Sequence, residues 1–261
     1  NTQDLRSLFR SVTKPSKPKS LNYRSYKMKK IDVCLSPDLI HLYDLSSVAV
    51  VVVDIFRATS CMVTAFASGA AEIVPVEEVE LCQQYGAKGY LTAAERNGVT
   101  PAGFDFDNSP FSYQVEKVKG AKICVTTTNG TVAIRRSSSA PAVYVGAFLN
   151  ISQVADALKA WNGNALVVCA GWKGKPNLED TLFAGALIDA LTGEYEAADD
   201  AALMAWKQYN VASNDLLTAV KNSSHVNRLL GLGIEKDIAF CLEFDRYSVL
   251  PRLEGDALRL V

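Results

Sequence analysis

The sequence predicts an α/β fold: a three-layer α/β/α sandwich with a mixed or mostly parallel sheet and a helix-rich C-terminal part. Two observations carry this. From Ile31 onward, short β-branched runs alternate with longer amphipathic segments, the order that builds βαβ units. The runs VAVVVV and ALVVCA are apolar at every position, not at every second one. That fits strands covered on both faces.

Taken in order, IDVCLS and VAVVVV read as strands, followed by a helix over residues 57–68 and the strand EIVPV. A helix over 77–85 and the strand GYLTAA come next. A loop of about 25 residues then leads into KICVTT, and connections that long often carry function. A helix from Thr128, the strand AVYVGAF, a helix over 152–161, the strand NALVVCA and a helix over 178–191 complete the alternating part. From Tyr195 the text turns mostly helical, with segments at 199–209, 214–221, 224–230 and 235–242 and only weak strand signals. This portion is expected to cap the sandwich or complete a cleft.

The chain has 261 residues, 49% hydrophobic and 21% charged, enough to bury a core without staples. Its net charge of -1 is unevenly distributed. Residues 1–30 hold nine of the 27 basic side chains and one of the 28 acidic ones, so the remainder, with 18 basic and 27 acidic, carries about -9. The Ser-, Pro- and Lys-rich segment 1–30 reads as a disordered-looking basic extension, non-native to the folded part, with Met28 as the expected natural start. No apolar stretch of signal-peptide length is found near this end, and Val48–Val53 is far shorter than the ~20 residues that span a bilayer. Neither nucleic acid nor membrane is indicated as a partner. The six cysteines show no C-x-x-C or zinc-ribbon spacing, so reduced thiols in a cytoplasmic protein are expected.

In open α/β sheets, ligands bind beyond the carboxyl ends of the strands, and four such places are unusually polar. The first is DIFRATS after VVVV. Asp54 there suits Mg²⁺ coordination or nucleophilic attack on phosphorus, and Arg57 suits a phosphoryl or sulfonate group; a helix cap with a structural ion pair is the plainer alternative. The second is Thr126, Thr127, Thr128, Asn129 and Gly130, whose hydroxyls and helix-start amides suit an anion. In the third, Glu179 and Asp180 follow the glycine loop of CAGWKGKP; acids in a first helical turn are common, but their place after a strand makes them metal candidates. The fourth joins Glu95 and Arg96 to the long loop with Asp105, Asp107, Asn108 and Ser109.

Spacing excludes several familiar machines. AGWKGKP lacks the G-x-x-x-x-G-K-S/T of a P-loop, and neither G-x-G-x-x-G nor G-x-S-x-G occurs. No cysteine is followed by Arg at the offset of a cysteine-phosphatase loop. Two residues after Asp54 stands Phe56, where a haloacid-dehalogenase phosphatase has a second Asp. With only His41 and His225, histidine mechanisms have little material, and a lone helical His such as His225 is more often structural.

Together, VVVDIFRATS, AAERNGVTPAGFDFDNSP, TTTNGT, CAGWKGKPNLEDTLFAG and the run Asp237, Cys241, Asp245 resemble the 2-phosphosulfolactate phosphatase family. The resemblance extends over nearly all of residues 31–251. Two departures stand out, Asn97 where a second Gly is expected and Asp107 where a smaller residue is expected. The resemblance implies one phosphatase domain over 31–261, with 195–261 as its mostly helical portion. It also implies Mg²⁺-dependent hydrolysis of a small anionic substrate, 2-phosphosulfolactate, to 3-sulfolactate and phosphate, within coenzyme M biosynthesis. On this reading Asp54, Arg57 and Glu95 are catalytic, with Glu95 the general acid/base. Asp54, Glu179 and Asp180 hold the metal, and Arg96, Asn108, Ser109 and Thr126 to Gly130 bind substrate. Asp237 and Asp245 are supporting groups, sharing a face if their helix runs through Phe244. Whether Asp54 is nucleophile or metal ligand stays open, as do a homo-oligomer, another phosphorylated acid as substrate, and a non-catalytic anion-binding domain.

Overall fold

The computed structural model describes residues 28–261. The basic extension therefore lies outside the described residues, apart from its last three positions. Ten strands form one sheet: β1 (Lys29–Cys34), β2 (Ala49–Val53), β3 (Glu72–Val76), β4 (Leu91–Ala94), β5 (Lys122–Thr126), β6 (Ala142–Gly146), β7 (Ala165–Cys169), β8 (Tyr195–Ala197), β9 (Pro251–Glu254) and β10 (Ala257–Leu260). The helices between them are α1 (Ala58–Ala67), α2 (Val79–Gly86), α3 (Gly130–Arg136), α4 (Ile151–Ala160), α5 (Leu178–Ala190) and α6 (Asp200–Ala212). Three short helices, α7 (Leu216–Val220), α8 (Ser224–Leu230) and α9 (Glu235–Cys241), make the C-terminal cap.

Every residue of β2, β6 and β7 is buried, so the centre of the sheet is covered on both faces, as the apolar runs require. Helix α5 packs against both α4 and α6, and α1 packs with α3. Gly185 makes the α5–α6 crossing close: a Cβ there would strike the Ala205 carbonyl. Short polar residues start the cap-side helices, because their oxygens satisfy first-turn N–H groups. Asp199 accepts from Ala202 at 2.7 Å, Asp215 from Thr218 at 2.9 Å and Ser223 from Val226 at 3.1 Å.

The strand order is β4-β5-β3-β10-β9-β6-β2-β7-β1-β8. β4, β5 and β3 form one parallel run, and β6, β2, β7, β1 and β8 form another. Between them the β9–β10 hairpin pairs antiparallel with β3 and with β6. Three antiparallel steps reverse direction, so the two runs have opposite sense. The sheet is mixed and mostly parallel, but the C-terminal portion supplies three of its strands as well as the cap. The hairpin turns on Gly255 and Asp256, with Gly255 at φ 61°, the positive φ that tight hairpin turns demand.

Candidate active site

Although the two runs are opposed, the carboxyl ends of β2 and β5 meet. A Cβ on Gly130, the first residue of α3, would lie 2.8 Å from Asp54 Oδ2 and 2.7 Å from the Ala58 Cβ. Only glycine lets the start of α3 approach the Asp54 carboxylate this closely. Gly130 is therefore packed directly against Asp54 and Ala58.

Asp54 is buried at the end of β2. Its backbone is fixed by Thr59, whose hydroxyl accepts from the Asp54 N–H and donates to its carbonyl, both at 3.0 Å. Its side chain receives only one long contact, from the Ala58 N–H at 3.4 Å. Burial pushes the carboxyl up to about 6; the positive field of His225 opposes the rise, and the charges of Glu95 and Glu179 add to it. Arg57 follows at the start of α1, also buried, and pairs with Asp237 of α9. Ser109 donates to the other Asp237 oxygen at 3.0 Å, so Ser109, Asp237 and Arg57 form one chain of contacts. Ser109 thus touches the same carboxylate that pairs with Arg57. Asn108, next to it, is buried on the wall of the cleft.

Glu95 lies just beyond β4. One of its oxygens accepts the Gly98 N–H and the other accepts the Thr128 N–H at 3.1 Å. The turn that brings Gly98 back has Asn97 at φ 54°, so the asparagine adopts the conformation the expected glycine would have taken. Arg96 follows and is half-buried. Its guanidinium donates to the carbonyls of Glu95 and Glu77 and to Thr126 Oγ1, each at 2.7 Å. These three contacts commit it to binding β4, β5 and the segment after β3 together.

The threonine turn is also mostly self-contained. Thr126 Oγ1 donates to the Glu77 carbonyl at 3.0 Å. Thr127 and Thr131 exchange contacts: each hydroxyl accepts the other's N–H at 3.1 Å. The Thr128 amide is taken by Glu95. Of the five residues, Asn129 lines the cleft.

At the start of α5, Asp180 accepts the Ile55 N–H at 2.9 Å and the Gly171 N–H at 3.0 Å, one on each oxygen. It staples the turn after β2 to the loop after β7, and burial raises its carboxyl well above the usual range. Glu179 is fully buried. His225 Nδ1 lies 2.5 Å from its Oε1 and 3.2 Å from Asn177 Nδ2, while its Oε2 has no partner. Among the described residues, no three His, Cys, Asp or Glu side chains are arranged to hold one metal ion. The expected Asp54–Glu179–Asp180 cluster is therefore not formed as such, because both Asp180 oxygens face backbone amides. Asp245 is a second correction. α9 ends at Cys241, and Asp245, at φ 49°, accepts from the N–H and hydroxyl of Ser152 at 2.8 and 2.6 Å. It caps α4 and shares no helix face with Asp237.

These groups line a small cleft with a cavity volume of about 20 Å³. The sheet side contributes Asp54, Arg57, Glu95, Asn108 and Asn129; the cap and the β7 loop contribute His225, Arg228 and Trp172. Sequence reasoning passed over the last three. His225 looked structural as a lone helical histidine, Trp172 stands in the CAGWKGKP motif but is not one of its polar residues, and Arg228 lies in no strand-end motif.

Among the described residues no helix is long and apolar enough to cross a membrane. A family model described as 2-phosphosulpholactate phosphatase matches residues 34–256. A protein named probable 2-phosphosulfolactate phosphatase from Caldanaerobacter subterraneus subsp. tengcongensis is 40% identical over 222 residues, 83% of this chain and 92% of its own length. Similarly named proteins from Thermotoga petrophila and Clostridium tetani are 40% identical over 203 residues and 32% over 233, covering 78% and 88% of this chain and 88% and 99% of their own. A match that runs from the end of β1 to the turn of the C-terminal hairpin takes in every cleft residue described above, and the chain belongs to the 2-phosphosulfolactate phosphatase family of phosphoric monoester hydrolases.

Proposed function

We propose that the cleft hydrolyses 2-phosphosulfolactate to 3-sulfolactate and phosphate with Mg²⁺ as cofactor. The observation that carries this reading is the meeting of the buried Asp54 carboxyl with Arg57, Glu95, His225 and Arg228 in one small cleft. Phosphoryl transfer depends on positioned charge more than on covalent chemistry, and this cleft holds two guanidiniums beside its carboxylates. The names of the relatives supply the substrate.

Arg57, held in place by Asp237 and Ser109, takes the phosphoryl oxygens. The P–O ester bond breaks as a new P–O bond forms to water, or first to Asp54 and then to water. The leaving alkoxide gains a proton. Glu95 is the proposed general acid/base. A second reading rests on the contact between His225 and Glu179: with Nδ1 engaged, Nε2 is the ring nitrogen left to exchange a proton.

Asp54 and Glu179 fit Mg²⁺, which takes hard oxygens, often from only one or two carboxylates. Glu179 Oε2 is buried without a partner, and Asp54 has one long contact. Neutralisation of phosphoryl charge is the chemistry such an ion supplies when bound. The cytoplasmic reading is supported by the six cysteines, all buried and unpaired.

The test is phosphate release from 2-phosphosulfolactate, 2-phospholactate and phosphoglycolate, with Mg²⁺ and after chelation. Preferred release from the first, lost on chelation and restored by Mg²⁺, is expected. Preference for another ester would reassign the substrate, undiminished release after chelation would remove the metal, and no release from any would leave an anion-binding domain.

A further inference from the structure

The two arginines of the cleft are in opposite states. Arg57 is neutralised by Asp237. Arg228, on α8, has Nε and Nη1 buried with no hydrogen-bond partner among the described residues. A buried donor without an acceptor is costly, and a charged one more so. Arg228 is not idle packing, because its guanidinium lies over the Trp172 ring at 3.9 Å from the centroid. Stacking fixes the plane of the fork, and the same guanidinium-bearing side chain lines the cleft. Burial disfavours its charge and pulls it below the ordinary guanidinium range; Glu95, Glu179 and Asp54 oppose that from a distance but make no contact with it.

We propose that Arg228, oriented by Trp172, binds the non-reacting sulfonate of the substrate and makes the cleft selective for sulfonated phosphoesters. This deepens the functional reading above and rests on it for the identity of the substrate. The phosphoryl group belongs beside Asp54, Arg57 and Glu95, where the reacting groups converge. Arg228 and Trp172 also line an adjoining recess with Asn177, Ser224 and His225, so the guanidinium stands where the cleft continues past the reacting end. A sulfonate spreads its charge over three oxygens and gives up water more readily than a carboxylate. It is the better match for a weakly hydrated guanidinium held dry on one face by an indole.

The test crosses variant with substrate. Arg228→Ala and Arg228→Lys are assayed on 2-phosphosulfolactate and on 2-phospholactate, which keeps the phosphate and carboxylate but lacks the sulfonate. Circular dichroism checks folding. The expected loss in kcat/KM for Arg228→Ala is 30-fold or more on the sulfonated ester, mostly in KM, and under threefold on 2-phospholactate. Lys, which keeps charge but not the fork or the stack, should lose about half of that effect on a logarithmic scale. Equal losses on both esters would overturn the proposal, since Arg228 would then serve the phosphate or carboxylate; no loss on either would overturn it too.

Calorimetric binding of 3-sulfolactate and lactate gives a readout independent of turnover. Preference for 3-sulfolactate that vanishes in Arg228→Ala is expected. If that preference holds while no ester is hydrolysed, the catalytic reading fails and the sulfonate site stands. If the folded wild-type protein binds the two equally, the site fails whatever the catalysis.

Discussion

The sheet side and the cap side of the cleft treat their charged groups differently. On the sheet side Arg57, Glu95, Arg96 and Asp180 each have protein partners, several of them backbone groups at strand ends. At the cap, Arg228 has two buried nitrogens without partners among the described residues, and Glu179 Oε2, on α5, is likewise bare. Satisfied charges are held rigidly, whereas bare ones wait for a ligand. The sheet side is built to position and the cap side to recognise. Asp54 stands between them, a sheet residue with a nearly bare carboxyl.

Four substitutions test that division. The largest effect is expected for Asp54→Asn, which should lower kcat by about 10³-fold or more, as loss of a central reacting group does. The same change should raise the stability of the metal-free protein. A folded-state value of about 6 against the usual 3.8 means folding favours the protonated form. The benefit is full below about 3.8 and is lost as pH rises through about 6. At pH 8, Asn should therefore stabilise by about 1–3 kcal/mol, and the slope of stability between pH 4 and pH 7 should flatten. Lower stability for Asn at pH 8 by denaturant titration would make Asp54 an ordinary structural acid.

Next, Asp237→Ala should cost about 3–5 kcal/mol, since it strands a buried guanidinium, and kcat/KM should fall more than tenfold as Arg57 loses its aim. Recovery of stability but not of kcat in Asp237→Asn would separate bracing from aiming. A smaller effect is expected at Gly130. An added methyl meets both Asp54 and Ala58, so Gly130→Ala should cost about 1–3 kcal/mol and lower kcat more than it raises KM. The smallest effect on catalysis belongs to Arg96. Arg96→Ala removes three short contacts and should destabilise by about 2 kcal/mol with KM changed under threefold. A tenfold rise in KM would break the comparison, because an arginine committed to the scaffold would then be touching substrate.

Most of the sheet and the chemistry at strand ends were legible in the sequence, because continuous β-branched runs and the polar residue that stops each one are local signals. Asp54, Arg57, Glu95, Asn108 and Asn129 were found that way, and all line the cleft. Which polar residue turns toward ligand and which toward backbone is not local. Arg96 and Arg57 look alike in sequence, and their different roles depend on Thr126 and Asp237, far away along the chain. Arg228, Trp172 and His225 escaped because they come from a helical cap and a loop whose position over the strand ends is a tertiary fact. The β9–β10 hairpin was missed for another reason. Its strands are four residues long and only partly buried, so they carry no apolar run, though Gly255-Asp256 is a recognised hairpin turn.

That hairpin is what makes one sheet out of two. It is the splice between β4-β5-β3, which carries Glu95 and the threonine turn, and β6-β2-β7, which carries Asp54 and the loop holding Trp172. Each flank of the splice is narrow, a single paired position: Leu258 with Ile73 on one side, Tyr144 with Arg252 on the other. A nascent chain can therefore form both half-sheets, and display both halves of the cleft, well before residues 251–260 emerge from the ribosome. The two halves are joined through the sheet only by that pairing.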